Sequence, residues 1–371
     1  MVRRCRTPKN RGNLSRASGE HRVSLFTFHG ASNMQTPAYW QSRFPAALLL
    51  PLAALFGLLA AVRRAFYRLG WLKSERLAVA VVIVGNISAG GAGKTPTVRY
   101  LAERLRAAGF NPGIVSRGYG GRVDGVAEVP PQGDPAVYGD EPLLLAATTL
   151  CPVFVGRDRV AAGRALLAAH PATDVVLCDD GLQHYRLARD VEIVVIDGAR
   201  GLQNGWLLPA GPLREPASRL AGVDAVVFNG DGAAALPPHP RSHRMALVPG
   251  AAWNLAEPAK TRPLADFGGR LAALAGIGHP ARFFATLHAA GLRAVAEYPF
   301  PDHHAYRAED LAAIEADAVL VTEKDAVKLA GLSLGGNIWA VPVAAELSPD
   351  LAGWLVQRLL DLKNSHGRQT A

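Results

Sequence analysis

The chain has 371 residues, of which 49% are hydrophobic and 19% charged, and its net charge is +9. This length is enough for two domains of ordinary size and excludes a small scaffold that needs disulfides to fold. The three cysteines lie far apart without a CxxC pair, which predicts a reducing compartment and no zinc site. The apolar content predicts contact with something apolar. The positive charge suits a membrane surface, a phosphorylated substrate or, on charge alone, nucleic acid.

Residues 1–33 form a basic leader with seven Arg or Lys, a single acid, Glu20, and no apolar periodicity. Such a composition is typical of disorder. We expect either a mobile tail or a start codon assigned too far upstream. A secretory signal is disfavoured, because no small-residue cleavage site follows the next apolar run.

Residues 34–73 contain an uncharged run of nineteen residues from Phe44 to Val62, flanked by Arg43, Arg63 and Arg64. The length is at the lower limit for crossing a bilayer, and the basic flanks suit lipid headgroups. The sequence predicts a membrane-inserted or membrane-surface helix. A buried helix of a soluble domain is the alternative.

The segment 79–97 combines a β-branched strand, a glycine-rich turn and the start of an amphipathic helix. This order is typical of a phosphate loop, in which backbone N–H groups and a helix N-terminus surround an anion. The usual motif begins with glycine, whereas this chain has Ser88 there. We expect Lys94 to reach the phosphates of a nucleoside triphosphate and Thr95 to ligate Mg²⁺. The predicted nucleotide-binding residues are Ser88, Ala89, Gly90, Gly91, Ala92, Gly93, Lys94 and Thr95.

Strands and helices alternate after this loop. The predicted elements are helices at 95–108, 141–149, 159–169, 281–290 and 349–362 and strands at 152–155, 175–178, 192–196, 271–275 and 318–321. The alternation predicts an α/β fold, with a mostly parallel sheet covered by helices on both faces and active residues at the carboxyl ends of its strands. A loosened stretch near 226–240 predicts a connection to a second, smaller α/β domain. We therefore expect a P-loop domain over 74–228 and a second domain over 229–371.

Two adjacent carboxylates, Asp179 and Asp180, end a buried strand. In nucleotide-binding sheets a strand-end aspartate holds Mg²⁺ opposite the loop hydroxyl. The predicted metal ligands are therefore Thr95, Asp179 and Asp180. A solvated strand-end turn is the alternative.

Two further loops carry titratable groups. Asp140, in the motif GDEP, begins a predicted helix, either as an N-cap or as a functional carboxylate. In the motif PDHH, His303 and His304 follow Asp302. Because adjacent histidines point in different directions, this motif favours acid/base chemistry over metal binding. An ordinary surface loop is the alternative.

Arginines supply candidates for binding an anionic substrate. Arg157 and Arg164 are seven residues apart, which predicts a shared helix face, and Arg157 near the helix N-terminus suits a nearby anion. Surface solvation is the alternative. A loop rich in Pro and Gly presents Arg214, and a strand-end loop presents Arg117.

The ordered motifs of this chain resemble those of the tetraacyldisaccharide 4'-kinases, the lipid A 4'-kinases of the outer-membrane lipid pathway. The resemblance covers about residues 36–330 and rests on GNISAGGAGKTP, SRGYGG, GDEP, DDGLQHYRLARD, LLPAGPLRE, GIGHPARFF, PDHH and TEKD. Several long motifs in fixed order are more specific than a phosphate loop alone. The phosphate loop of this family has the same form as residues 88–95, in which Ser88 stands at the position of the first glycine of the usual motif.

The resemblance implies transfer of the ATP γ-phosphoryl group, with Mg²⁺, to the 4'-hydroxyl of an acylated glucosamine disaccharide 1-phosphate. It implies that Asp140 and His303 cooperate in activating this hydroxyl, with His304 left open, and that Lys94 helps to carry the transition state. The substrate candidates are Arg117, Arg157, Arg164 and Arg214. The expected partners are the lipid substrate and the cytoplasmic face of the inner membrane, without nucleic acid, and we expect a monomer.

A membrane-associated P-loop ATPase of the partitioning or insertion type is the main alternative. Its loop also reads GGxGKT, but it usually carries a lysine directly before the two glycines, where this chain has Ala89. A nucleotide-gated anchoring protein without chemistry is the second alternative. It predicts that the GDEP and PDHH loops lie far from the phosphate loop.

Overall fold

The computed structural model describes residues 37–232, 238–312, 314–332 and 335–367, so the predicted leader at 1–33 lies outside the described residues. The described helices are α1 (Leu50–Arg68), α2 (Lys94–Ala107), α3 (Pro135–Tyr138), α4 (Asp140–Thr149), α5 (Arg159–Ala169), α6 (Pro280–Ala289), α7 (Ala308–Ala312), α8 (Glu323–Leu329) and α9 (Leu351–Gly367). The described strands are β1 (Ala80–Gly85), β2 (Pro112–Ser116), β3 (Val126–Glu128), β4 (Val153–Gly156), β5 (Val175–Asp179), β6 (Val191–Asp197), β7 (Ala225–Asn229), β8 (Ser242–Pro249), β9 (Ala252–Asn254), β10 (Thr261–Arg262), β11 (Leu271–Ala275), β12 (Val295–Pro299), β13 (Ala318–Thr322), β14 (Ile338–Val341) and β15 (Val343–Ser348).

A nine-stranded sheet carries the phosphate loop. Its order is β15-β8-β7-β6-β1-β5-β2-β4-β3, and its strands are parallel except at the two edges, where β15 and β3 are antiparallel. The central strands are continuous buried aliphatic runs, as expected where helices cover both faces. Val84 of β1 pairs in register with Asp179 of β5, which places the loop after β1 beside the strand-end carboxylates.

Two hydrophobic cores lie on the two faces of this sheet. One contains buried residues of α2, α4 and α9, including Val98, Leu101 and Leu105 of α2. The other contains buried residues of α5, including Val160 and Leu166. The apolar face predicted for α2 is thus the face that packs on the sheet.

A second sheet of six strands has the order β10-β9-β14-β13-β11-β12. Strands β14, β13, β11 and β12 are parallel, and β9 and β10 are antiparallel additions. The predicted α/β fold is confirmed. The predicted boundary near residue 229 does not separate the two sheets, since β8, β15 and α9 belong to the first sheet and its core. A local pattern cannot show this return, because the pairing of β8 with β15 joins residues far apart in the chain.

Helix α1 contacts the rest of the protein through a narrow strip of its surface. The side chains of Leu52, Leu55, Leu58 and Leu59 are 53% to 61% exposed. A Cβ on Gly57 would stand 2.6 Å from Leu207 Cδ1, so this glycine allows the close packing on that side. Over the described residues, the helical segment Ala46–Arg68 is long and apolar enough to cross a membrane, and 11% of its apolar window is buried. A helix buried in a soluble core, the alternative from the sequence, does not fit this exposure.

Candidate active site

The predicted phosphate loop, residues 88–95, connects β1 to α2, which begins at Lys94. Gly90 and Gly93 have φ of 98° and 97°, in the left-handed region that favours glycine. The loop therefore ends at the N-terminus of a fourteen-residue helix, where N–H groups without an intrahelical partner can bind an anion.

Side chains at or just after the ends of β7 and β6 support this loop. Asn229 Nδ2, at the end of β7, donates a hydrogen bond of 3.0 Å to the Ala92 carbonyl. A Cβ on Gly93 would stand 2.3 Å from the same nitrogen, so Gly93 is required for space as well as for backbone conformation. Arg200 donates a hydrogen bond to the Gly91 carbonyl. The loop is thus held in place by residues outside its own motif.

Asp179 and Asp180 lie beside the loop at the end of β5. Oδ1 of Asp180 is 3.5 Å from Lys94 Nζ, and Oδ2 of Asp180 is 3.6 Å from Arg214 Nη1. Asp179 is 1% exposed, and neither of its carboxylate oxygens has a hydrogen-bond partner within the described residues. Burial and then the charge of Glu141 raise the pKa of Asp179 to about 7, although Lys94 acts in the opposite direction. A buried carboxylate without a partner is stabilised by a cation.

These residues fit Mg²⁺. Thr95, half-buried in the first turn of α2, completes the predicted ligand set. No group of three or more His, Cys, Asp or Glu side chains forms a ready-made metal site in the part of the chain that the structure describes. Mg²⁺ does not need such a group, because it keeps several waters and takes phosphate oxygens as ligands beside one or two carboxylates.

Asp140 and His303, predicted from separate motifs, form a hydrogen-bonded pair. Nδ1 of His303 lies 3.0 Å and 2.9 Å from the two carboxylate oxygens of Asp140. Nε2 of the same ring is 3.7 Å from Asp302 Oδ2, longer than a hydrogen bond. His303 has φ of 61°, a strained conformation for a non-glycine residue of the kind that clusters at functional sites.

The environment of the pair favours an ionised carboxylate. Burial on its own would raise the pKa of Asp140, but the hydrogen bond with His303 and the charge of Lys324 outweigh it and lower the pKa to about 2. Burial would lower the pKa of His303, but the hydrogen bond with Asp140 reverses this and raises it. An Nδ1–H held by a carboxylate leaves the Nε2 of a neutral imidazole able to accept a proton.

The adjacent histidine has other partners. His304 Nε2 lies 2.9 Å from Asp310 Oδ2, and its ring packs on Phe300 and Tyr306 with centroid distances of 4.7 Å and 4.9 Å. The structure therefore brings His303, and not His304, to Asp140.

Loops of the second sheet contact the phosphate loop. A Cβ on Gly278, in the GIGHP loop, would lie 3.1 Å from Asp302 Oδ2 and 3.6 Å from Gly91 N. Arg282 of α6 also donates a hydrogen bond of 2.9 Å to Asp197 at the end of β6. The anchoring alternative, which placed the PDHH loop far from the phosphate loop, is wrong.

A cavity of 850 Å³ opens beside Asp180, and Phe56 and Leu59 of α1 form part of its apolar wall. Within the described residues, six arginines line it: Arg63, Arg64, Arg117, Arg157, Arg159 and Arg214. Three of these were predicted from the sequence. Two more, Arg63 and Arg64, were noted in the sequence only as basic residues that flank the apolar run. Arg159 is buried and donates a hydrogen bond to the Asp180 carbonyl. The cavity thus combines apolar and cationic walls, as needed for an amphiphilic anion.

Arg164 lies elsewhere, and its Nη2 is 2.6 Å from Glu75 Oε2. The predicted helix face shared by Arg157 and Arg164 is wrong. Asp158 accepts hydrogen bonds from the N–H groups of the first turn, so helix α5 begins at Arg159 and Arg157 precedes it. Sequence spacing indicates a shared face only where both residues are helical.

Lys324, in the motif TEKD, is a residue of this site to which the sequence assigned no role. Its Nζ lies 3.1 Å from Glu141 and 3.1 Å from Asp302. In the sequence only the motif TEKD pointed to Lys324, because its partners Glu141 and Asp302 come from distant segments of the chain.

A phosphate loop beside strand-end carboxylates, with an Asp–His pair on the adjoining loop, defines a P-loop phosphotransferase. A family model described as Tetraacyldisaccharide-1-P 4'-kinase matches residues 45–360. The chain belongs to this family and is a kinase. The predicted family is confirmed, and the partitioning-ATPase alternative is wrong.

Individual relatives of this chain support the same family assignment. The tetraacyldisaccharide 4'-kinase of Chromobacterium violaceum is 56% identical over 328 residues, which cover 87% of this chain and 95% of the relative. That of an Azoarcus species is 53% identical over 339 residues, covering 90% and 97%. A crystal structure of the "apo" form of LpxK from Aquifex aeolicus in complex with ATP has a TM-score of 0.70 and 28% identity. It covers 85% of this chain and 99% of that one.

Proposed function

We propose that this chain transfers the γ-phosphoryl group of ATP to the 4'-hydroxyl of a tetraacyl glucosamine disaccharide 1-phosphate in lipid A biosynthesis. The observation that carries the proposal is the Asp140–His303 pair, whose PDHH loop adjoins the phosphate loop through Gly278. Such a pair is the apparatus needed to activate an acceptor hydroxyl beside a bound triphosphate.

The donor side consists of residues 88–95 with the carboxylates after β5. Backbone N–H groups of the loop and the N-terminus of α2 bind the phosphates, and Lys94 Nζ reaches their terminal oxygens. Thr95, Asp179 and Asp180 would hold Mg²⁺, which would offset the negative charge of the phosphates when bound. The orphaned oxygens of Asp179 support this assignment.

The acceptor side consists of Asp140 and His303. Nδ1–H of His303 donates to the ionised Asp140, and Nε2 accepts the proton of the 4'-hydroxyl. The hydroxyl oxygen forms the new bond to the γ-phosphorus while the bond to the β,γ-bridging oxygen breaks, and ADP leaves. Asp140 thus orients the imidazole and stabilises it once it is protonated.

The lipid part of the acceptor enters from the membrane side. Exposed leucines of α1 insert into the apolar layer of the inner membrane, on its cytoplasmic face where ATP is available. The cavity beside Asp180 receives the sugar, with Arg117, Arg157 and Arg214 close to the anionic 1-phosphate. Arg164 does not line this cavity. The monomeric state and the absence of a nucleic-acid partner stay predictions.

The test is incubation of the full chain in detergent with γ-labelled ATP, Mg²⁺ and the acylated disaccharide 1-phosphate. We expect label on the lipid at the 4' position, and none with an acceptor that lacks the 4'-hydroxyl. A Lys94→Met variant serves as the control for donor binding and should lose the transfer by about a thousandfold or more. Release of inorganic phosphate without any labelled lipid would overturn the proposal.

A further inference from the structure

Lys324 contacts three carboxylates, two at the N-terminus of helix α4 and one in the PDHH loop. Its Nζ is 3.1 Å from Glu141 Oε1, 3.1 Å from Asp302 Oδ1 and 3.6 Å from Asp140 Oδ2. Asp140 and Glu141 are the first two residues of helix α4, which packs on the first sheet, whereas Asp302 belongs to the PDHH loop that follows β12 of the second sheet. A single ammonium group therefore lies where the N-terminus of α4, with Asp140, meets the PDHH loop, with His303.

The position of Lys324 in its helix indicates that these contacts are specific. It is the second residue of α8, where a positive charge opposes the helix dipole, and its side chain is 14% exposed. Its neighbour Glu323 accepts hydrogen bonds of 2.9 Å and 3.0 Å from Arg99 of the phosphate-loop helix α2. The first turn of α8 thus contacts the donor side through Glu323 and the acceptor side through Lys324.

We propose that Lys324 is a positioning residue that keeps Asp140 ionised and the His303 imidazole neutral, so that Nε2 can accept the hydroxyl proton. This inference rests on the proposed function and names a residue that acts through the Asp140–His303 pair without touching the reacting atoms.

The charges around the ring give the physical reason. The groups facing His303 are Asp140 on Nδ1, Asp302 near Nε2, Lys324 behind both carboxylates, and the ring of Tyr119 with a centroid distance of 5.2 Å. With the ammonium absent, the negative charge of the carboxylates would favour the imidazolium. An imidazolium has no lone pair on Nε2 and cannot act as the base. The positive charge of Lys324 lowers the pKa of His303 and so opposes this protonation.

The test compares Lys324→Met, which removes the charge at similar length, with Lys324→Arg, which keeps it. The readout is the pH profile of kcat/KM for transfer to the lipid acceptor. In Lys324→Met we expect the acidic limb to move to higher pH by about one unit, with a loss of up to about tenfold at pH values below the limb. Lys324→Arg should keep the position of the acidic limb. An unmoved acidic limb in Lys324→Met would overturn the inference.

Glu323→Gln is the matched control on the same helical turn. It removes the negative charge that pairs with Arg99 and changes no charge facing His303, so the acidic limb should stay in place even if turnover falls. A limb that moves as far in Glu323→Gln as in Lys324→Met would assign the effect to general loosening and overturn the inference.

An NMR titration of His303 in the nucleotide-free full chain is the second measurement, assigned with a His303→Gln variant. We expect the pKa of His303 to rise in Lys324→Met relative to the parent chain. This measurement needs no turnover. If the parent chain failed to phosphorylate the lipid, the proposed function would fall while the titration still tested the coupling, and an unchanged titration would overturn the coupling itself.

Discussion

Replacement of Asp140 by Asn removes a buried charge and keeps the size of the side chain. In the folded chain burial raises the pKa of Asp140, but His303 and Lys324 lower it further, from 3.8 to about 2. One pKa unit corresponds to about 1.4 kcal/mol, and Asn resembles the protonated acid. The carboxylate charge therefore contributes about 2 kcal/mol to the free energy of unfolding at neutral pH. Because Asp140 is buried, solvent screens this value little.

The pH dependence follows from the directions of the two pKa shifts. The folded-state pKa of Asp140 is lowered, so its contribution is fully present above 3.8 and is lost as the pH falls through about 2. The folded-state pKa of His303 is raised, so its contribution is fully present below 6.5 and is lost as the pH rises through the raised value. Asp140→Asn lacks the carboxylate that raises the pKa of His303. The variant should therefore lack the part of the stability change above about pH 6.5 that His303 supplies.

The assay is urea unfolding followed by circular dichroism at several pH values, with phosphoryl transfer measured on the same samples. We expect about 2 kcal/mol lower stability at pH 7 and a loss of transfer of about 100-fold to 10,000-fold. Asp310→Asn is the matched control, since it removes the charge of a carboxylate 2.9 Å from the adjacent His304 and should retain transfer. Equal unfolding free energies of Asp140→Asn and the parent chain at pH 7 would refute this reasoning, as would wild-type turnover in Asp140→Asn.

Two further predictions concern the lipid substrate. The double change Leu55→Asp and Leu59→Asp places two charges in the apolar layer at a cost of about 5 kcal/mol, so the chain should stop sedimenting with vesicles. The control Leu360→Asp changes a leucine that is 40% exposed on α9 and should leave sedimentation unchanged. Arg157→Ala should raise the KM for the disaccharide about tenfold, because Arg157 lines the cavity, whereas Arg164→Ala should leave it within about twofold. Equal changes in KM would contradict the assignment of the cavity to the substrate.

The sequence by itself determined the features that local patterns specify. Helix α5 and strand β11 have the bounds that periodicity predicted, at Arg159–Ala169 and Leu271–Ala275. The phosphate loop lies between a buried strand and an amphipathic helix, as its glycines and the flanking pattern predict. These signals are readable because turn chemistry and amphipathic spacing act over a few residues. The order of the motifs also sufficed to identify the family.

Only the tertiary structure decided which of these pieces meet. Asp140 contacts His303 across 163 residues of sequence, and His304 is directed to Asp310 instead. Strand β15 returns to pair with β8, and α9 follows it onto the first core. The same packing of the two sheets places Lys324 among three carboxylates and separates Arg164 from the cavity. Such contacts depend on how two sheets approach each other, and no pattern within a single segment encodes that approach.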